Sequence, residues 1–234
     1  MSQSIAAVLF DLDGTLIDTA PDFIRIVRQL CAEDGVPEPS AAQIRSQVSE
    51  GARAMVRLIH PDLPLNDPTL LAYRRRFLAA YSAQIAVETS LFDGMDALLV
   101  ALEQQQIAWG IVTNKPRGLS EQLLAALQLT ERCAVLVCPE DVSKAKPDPE
   151  PMFLAADQLG IAAAQIIYVG DHPRDIDAGR AAQMPTILAA YGYLPPERAH
   201  DLADWQADHV VADVAELHAL LYSDLFSLKA LTYA

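Results

Sequence analysis

The segment IAAVLFDLDGTLIDT, residues 5–19, decides the fold. Ile5 through Phe10 is an uninterrupted apolar run of strand length, as expected of a strand buried on both faces of a parallel sheet. It stops abruptly at Asp11, Asp13, Gly14 and Thr15. Two carboxylates therefore stand at the carboxyl end of a strand, the edge of an open α/β sheet where ligands bind.

Downstream of Thr19 the pattern turns helical and stays so to about Thr89. Thr19 is a candidate cap for a helix with Pro21 in its first turn, carrying Phe23, Ile26, Val27 and Leu30 on one face and ending at Gly35, Pro37 and Pro39. Ser40 opens a second helix. A third runs over residues 52–60 to Pro61, and Asp67-Pro68 opens a fourth extending to about Ile85.

From Leu91 onward helices and strands alternate. The sequence predicts helices over 93–106, 119–127, 148–160, 174–182 and 214–222, and strands over 107–112, 134–138, 166–169, 186–190 and 209–211. Such alternation calls for a parallel sheet with right-handed crossovers. The expected division is an α/β core over 1–18 and 90–222, an all-helical insertion over 19–89 leaving from the ligand-binding edge, and a tail, 223–234, that matches no motif.

Four strand ends then carry polar groups: Asp11 and Asp13; Thr113 with Asn114; Lys146 directly before Pro147; and Asp171 with Asp175. Four aspartates against one lysine cannot stand together unaided, since two like charges 4 Å apart cost about 4 kcal/mol at an effective dielectric of 20. All-oxygen donors beside a phosphate favour a hard cation that keeps some of its water, hence Mg²⁺.

D-x-D-G-T, T-N-K, K-P-D-P and G-D-x-x-x-D, in that order on successive strands, resemble the four motifs of the haloacid dehalogenase superfamily. The resemblance implies a Rossmann-like core with a mobile helical cap of the C1 type and a Mg²⁺-dependent phosphomonoesterase. Asp11 would be the nucleophile and Asp13 the general acid and base. Asp11, Asp13 and Asp171 would hold the metal, with Asp175 as a second ligand or water holder, and Thr113, Asn114 and Lys146 would grip the phosphoryl group. An ionised aspartate suits this chemistry because it attacks phosphorus without an activating base.

Further stretches narrow the resemblance to the phosphoglycolate phosphatase-like branch, and within it to bacterial phosphatases that act on N-acetylmuramic acid 6-phosphate in peptidoglycan recycling. They are D-T-A-P-D-F at 18–23, G-A-R-A-M at 51–55, L-F-D-G-M at 91–95, W-G-I-V-T-N-K-P at 109–116, K-P-D-P-E-P at 146–151 and Y-G-Y at 191–193. In the cap, Gly51 and Arg53 are the candidates for reading the leaving group, because Gly admits close backbone approach and Arg can meet a carboxylate bidentately. Glycolate and muramic acid both carry a carboxylate, so phosphoglycolate remains an alternative substrate. A sugar-phosphate mutase, a metal-free dehalogenase and a non-catalytic phospho-acceptor module also stay open. Asp13, the helical insertion and the acidic fourth motif weigh against the last two.

The formal charge of −14 and pI near 4.6 exclude a nucleic-acid-binding surface. No apolar run approaches the roughly 20 residues that span a bilayer. The N-terminus has no signal-like pattern, so a cytoplasmic protein is expected, free of membrane partners and either monomeric or homodimeric. Cys31, Cys133 and Cys138 are odd in number and widely spaced, as expected of structural thiols. His172, Asp18 and Asp177 are expected to serve as loop, capping or solvated residues. Gln183 stands where such families often place a helix-ending glycine.

Overall fold

The computed structural model describes residues 3–64 and 67–228. Its centre is a six-stranded, wholly parallel sheet in the order β6-β5-β2-β7-β8-β9, formed by β2 (Ala7–Phe10), β5 (Ala108–Val112), β6 (Leu136–Val137), β7 (Ile166–Gly170), β8 (Thr186–Ala189) and β9 (His209–Val211). Counted by their own succession these strands run 3-2-1-4-5-6. The order reverses at β2, so β2 and β7 flank the crevice in which such sheets bind ligands. Val8, Leu9 and Phe10 are fully buried on the central strand, as a sheet covered on both faces requires.

The covering layers are α5 (Met95–Gln104), α6 (Arg117–Ala126), α7 (Glu150–Leu159), α8 (Pro173–Ala181) and α9 (Val214–Leu221). Leu98, Leu102, Leu123 and Leu217 meet Val8 and Phe10 in one core cluster. On the other side Met152, Ala155 and Ala178 meet Leu9 and Tyr168.

The expected strand over 5–10 is two strands. β1 (Gln3–Ile5) ends at Ile5, Ala6 gives its N–H to the Gln165 carbonyl (2.8 Å), and only Ala7 enters the main sheet. β1 instead pairs in parallel with β10 (Phe226–Leu228), so the segment left unassigned at the C-terminus is a strand as far as Leu228. Residues 229–234 lie outside the described residues.

Between Phe10 and α5 come α1 (Ala20–Asp34), α2 (Ala41–Arg45), α3 (Gly51–Ile59) and α4 (Thr69–Ala83), with a core of their own that includes Phe23, Ile26, Met55, Phe77 and Tyr81. The chain enters and leaves this helical block through a pair of two-residue antiparallel strands, β3 (Ile17–Asp18) and β4 (Ser90–Leu91). They are too short to show any alternation in the sequence. Ser40 forms a capping box with Gln43 on α2, and Asp67 accepts from the Thr69 N–H (2.8 Å) to start α4. Thr19 does not cap α1, because its hydroxyl donates to Asp13 (2.7 Å). The buried Asp22 of α1 accepts from Glu88 N, Thr89 N and Thr89 Oγ1 and so ties down the exit linker.

Gln183 explains its own departure. It adopts φ 61° after α8, and the Met184 N–H returns to the Gly179 carbonyl (2.9 Å), a left-handed helix stop made without glycine. Gln106, Gln128 and Gln206 take the same conformation at φ 58–59°. All four are exposed.

No helix among the described residues is long and apolar enough to cross a membrane. The three cysteines are free, and burial pushes the thiols of Cys133 and Cys138 up to about 12 and 11.

Candidate active site

β2 and β7 deliver Asp11 and Asp171 to the same crevice, and α8 adds Asp175. Carboxylate oxygens of the three lie within 4.8 Å of one another, and all three residues are buried. Glycines make this approach possible. Gly14 sits at φ 85°, and a Cβ there would collide with the Asp171 carboxylate, as would one on Gly192. A Cβ on Gly170 would collide with Asp175.

Lys146 is the internal counter-charge. Its ammonium lies 2.9 Å from Asp11 and 2.7 Å from Asp175, and donates to the Val112 carbonyl and the Tyr168 hydroxyl, each at 2.8 Å. Asn114 fixes that lysine. Its Nδ2 donates to the Lys146 carbonyl (3.0 Å) and its Oδ1 accepts the Lys146 N–H (3.2 Å). Asn114, expected on substrate, lines the cavity while it bonds the Lys146 backbone, and the ammonium expected on phosphate is enclosed by oxygens.

One lysine does not balance three acids. Burial would raise the Asp11 carboxyl, but Lys146 and Arg174 outweigh it and hold the group below its ordinary range. At Asp171, burial with the charges of Asp11 and Asp175 outweighs the Tyr193 N–H and Arg174 and pushes the carboxyl up to about 8. Asp11 Oδ1 is buried and has the Lys146 ammonium 2.9 Å away. Three buried carboxylates whose oxygens converge within 4.8 Å, with one lysine between them, fit a hard divalent cation.

Asp13 is not part of this cluster; it lines the cavity and is half-buried. Lys115 reaches it at 2.9 and 3.2 Å and also donates to the Tyr81 hydroxyl (3.3 Å) of α4. Thr113 lines the same cavity, with its hydroxyl oxygen accepting from the Lys115 N–H (3.1 Å).

The cavity, about 390 Å³, lies between this strand edge and the helical block. Gly51 lines it with φ 75° and ψ −168°, a conformation open essentially to glycine alone, so the turn into α3 needs it. Arg53 and Arg74 line the far side, both exposed and without an ion pair among the described residues. On α4, Arg74, Leu78 and Tyr81 share the face toward the cavity, the i, i+4, i+7 stripe of a helix.

The sequence singled out neither Lys115, Arg174 nor Arg74. Lys115 is the last letter of T-N-K, to which the pattern assigns no role, and Arg174 stands in G-D-x-x-x-D only as a spacer. Arg174 faces the cavity, and its guanidinium bonds the Ser49 carbonyl. Beside it the Ser49 hydroxyl donates to Asp171 (3.2 Å), and His172 Nε2 meets Glu50 (2.8 Å) while its Nδ1 accepts the Arg174 N–H. His172 is therefore a loop hydrogen bonder that also grips the helical block. Asp18 caps α1 and pairs with Arg45 (3.0 Å), and Asp177 is exposed.

A parallel sheet whose reversal point gathers three buried carboxylates, a lysine and a threonine defines a class of hydrolase. A family profile described as haloacid dehalogenase-like hydrolase matches residues 8–189, and the chain belongs to that family. It is 44% identical over 213 residues to the N-acetylmuramic acid 6-phosphate phosphatase of Pseudomonas aeruginosa, covering 91% of this chain and 93% of the relative. It is equally 44% identical to a phosphoglycolate phosphatase of Xanthomonas campestris pv. campestris, over 90% of this chain and 94% of that one. A crystal structure titled as a predicted phosphoglycolate phosphatase from Haemophilus somnus superposes with a TM-score of 0.81, at 23% identity over 94% of this chain and 99% of that chain, and shares the fold.

Proposed function

We propose that this chain is a Mg²⁺-dependent phosphomonoesterase that hydrolyses a small phosphorylated metabolite through an aspartyl-phosphate on Asp11, with N-acetylmuramic acid 6-phosphate as the first candidate substrate. The observation that carries the proposal is the convergence of Asp11, Asp171 and Asp175, all buried with carboxylate oxygens within 4.8 Å of one another, around the Lys146 ammonium at the switch point of the sheet. In this account Asp11, the Asp13 carbonyl and Asp171 hold the metal, and Asp175 secures Lys146 behind them. The ion supplies positive charge against which a phosphate dianion can enter an acidic site.

The chain's own groups do the rest. An Asp11 oxygen attacks phosphorus and the bond from phosphorus to the leaving oxygen breaks, with Asp13 donating a proton to that oxygen. Asp13 then takes a proton from water, whose oxygen attacks phosphorus and releases phosphate from Asp11. Lys115 and Thr19 fix the Asp13 carboxylate for both steps. Thr113 and Arg174 face the cavity where the remaining phosphoryl oxygens would lie, so charge stabilisation falls to them. Lys146 acts one layer back, held by Asn114 from the cavity wall.

The helical block serves as a cap over the site, in keeping with its two-strand linkers and its contacts to the Asp171 loop. Arg53 and Arg74 present unpaired cations to the leaving group, which favours a substrate carrying a carboxylate. N-acetylmuramic acid 6-phosphate and 2-phosphoglycolate both satisfy this, and relatives named for each are 44% identical. The cavity has room for a sugar where glycolate would leave most of it empty, so the larger substrate is preferred.

The test is kcat/KM for N-acetylmuramic acid 6-phosphate, 2-phosphoglycolate, glucose 6-phosphate and a nucleoside monophosphate, with Mg²⁺ and after chelation. The account expects metal-dependent release of phosphate with the first substrate ahead. Isomerised phosphate, or turnover indifferent to chelation, would overturn it.

A further inference from the structure

We propose that Tyr193 is a positioning residue that locks the hinge of the helical block to the acidic cluster, with Asp18 and Arg45 completing the lock. The inference deepens the cap role proposed above and rests on it. Tyr193 comes from the loop after β8, outside the four strand-end motifs, and it is buried.

Its backbone N–H donates to Asp171 Oδ2 (2.8 Å). Its hydroxyl donates to Asp18 Oδ1 (2.6 Å) and accepts the Ala20 N–H (2.9 Å), so it grips the last residue of β3 and the first residue of α1. Arg45 of α2 lies over its ring at 5.0 Å and pairs with both Asp18 oxygens at 3.1 and 3.0 Å. The exit linker meets the same loop, with Phe92 packing on Tyr191 at 5.0 Å and on Tyr193 at 6.4 Å between ring centroids.

One buried residue therefore touches a carboxylate of the cluster, both linkers and a helix of the block. Any rotation of the block about β3 and β4 must part the hydroxyl from Asp18 or the ring from Arg45. Gly192 lets the loop come this close, since a Cβ there would strike Asp171 and the Gly14 carbonyl.

Tyr193→Phe separates the two ends of the device, because ring and amide stay while the hydroxyl leaves. Hydrogen exchange on the full chain is expected to quicken about tenfold over residues 17–24 and 88–92, the effect of losing one net hydrogen bond, with β7 unchanged. Arg45→Ala should act on the same segments, and the double variant should exceed the larger single effect by less than twofold. With Mg²⁺ and the best substrate, KM should rise about fivefold while kcat stays within about threefold, since Asp171 keeps its amide partner. Unchanged exchange in both linkers would overturn the proposal, and so would protection lost evenly across the chain, β7 included. If no phosphate ester is hydrolysed, the phosphatase reading fails, whereas the exchange pattern still decides whether Tyr193 holds the hinge.

Discussion

Divalent-cation binding should be tightly linked to protons, and the link can be worked out from Asp171. Its carboxyl is pushed up to about 8 by burial and by the charges of Asp11 and Asp175, so at pH 7 it is about nine-tenths protonated in the metal-free protein. A cation takes the ionised form, so binding at pH 7 should release about 0.9 proton. The apparent dissociation constant scales with one plus the ratio of protonated to ionised Asp171. That factor falls from about 100 at pH 6 to about 2 at pH 8, a roughly 50-fold tightening, or about 2 kcal/mol. Titration calorimetry with Mg²⁺ in two buffers of different ionisation enthalpy measures the protons directly, and repeating it across pH 6–8 measures the slope. Asp171→Asn, which carries no proton to lose, should flatten the profile and weaken binding. Wild-type affinity that is constant over this range, with no proton released, would refute the reasoning.

Stability of the metal-free protein should show the same group from the other side. Because the folded carboxyl sits above its unfolded value of 3.8, its contribution is greatest at low pH, declines as pH rises toward 8 and levels beyond. Thermal melts in EDTA over pH 5–9 should show that decline in the wild type and lack it in Asp171→Asn. Lys115→Met should cost about 3 kcal/mol by denaturant unfolding, because it leaves Asp13 without the buried cation that reaches it at 2.9 Å; a loss under about 0.5 kcal/mol would remove Lys115 from the account. Gln183→Gly should stabilise by about 1 kcal/mol, since a left-handed φ of 61° penalises every side chain; a destabilised variant would show that the exposed side chain has a role of its own.

How far the sequence revealed this molecule depended on the range of the signal. The core strands after the helical block were legible because each is a short apolar run between helices of regular period, and their polar ends marked the crevice. Asp11, Asp171 and Asp175 could be brought together from motif order alone, because a parallel sheet must bring successive strand ends to one edge. Pairing partners were not legible. Nothing in Ile5–Phe10 signals that Ile5 belongs to a different sheet, since the break depends on Gln165 and on Phe226–Leu228 far along the chain. Lys146 and Asn114 illustrate the same limit within the site. Their identity was plain, yet their partners were not: Lys146 is enclosed by oxygens, while Asn114 bonds the Lys146 backbone from the cavity wall. Lys115, Arg174 and Tyr193 act through contacts 102, 125 and 175 residues away, beyond any local pattern.

The central claim is a covalent one and can be tested on the covalent species. An acid quench of Asp13→Asn during turnover, followed by peptide mass spectrometry, should find one phosphoryl group on the peptide containing Asp11, because the variant lacks the base that would activate water against it. The adduct should be labile to hydroxylamine and absent from Asp11→Asn, which should also release no phosphate. Full turnover by Asp11→Asn, with no phosphorylated peptide in either variant, would contradict the account.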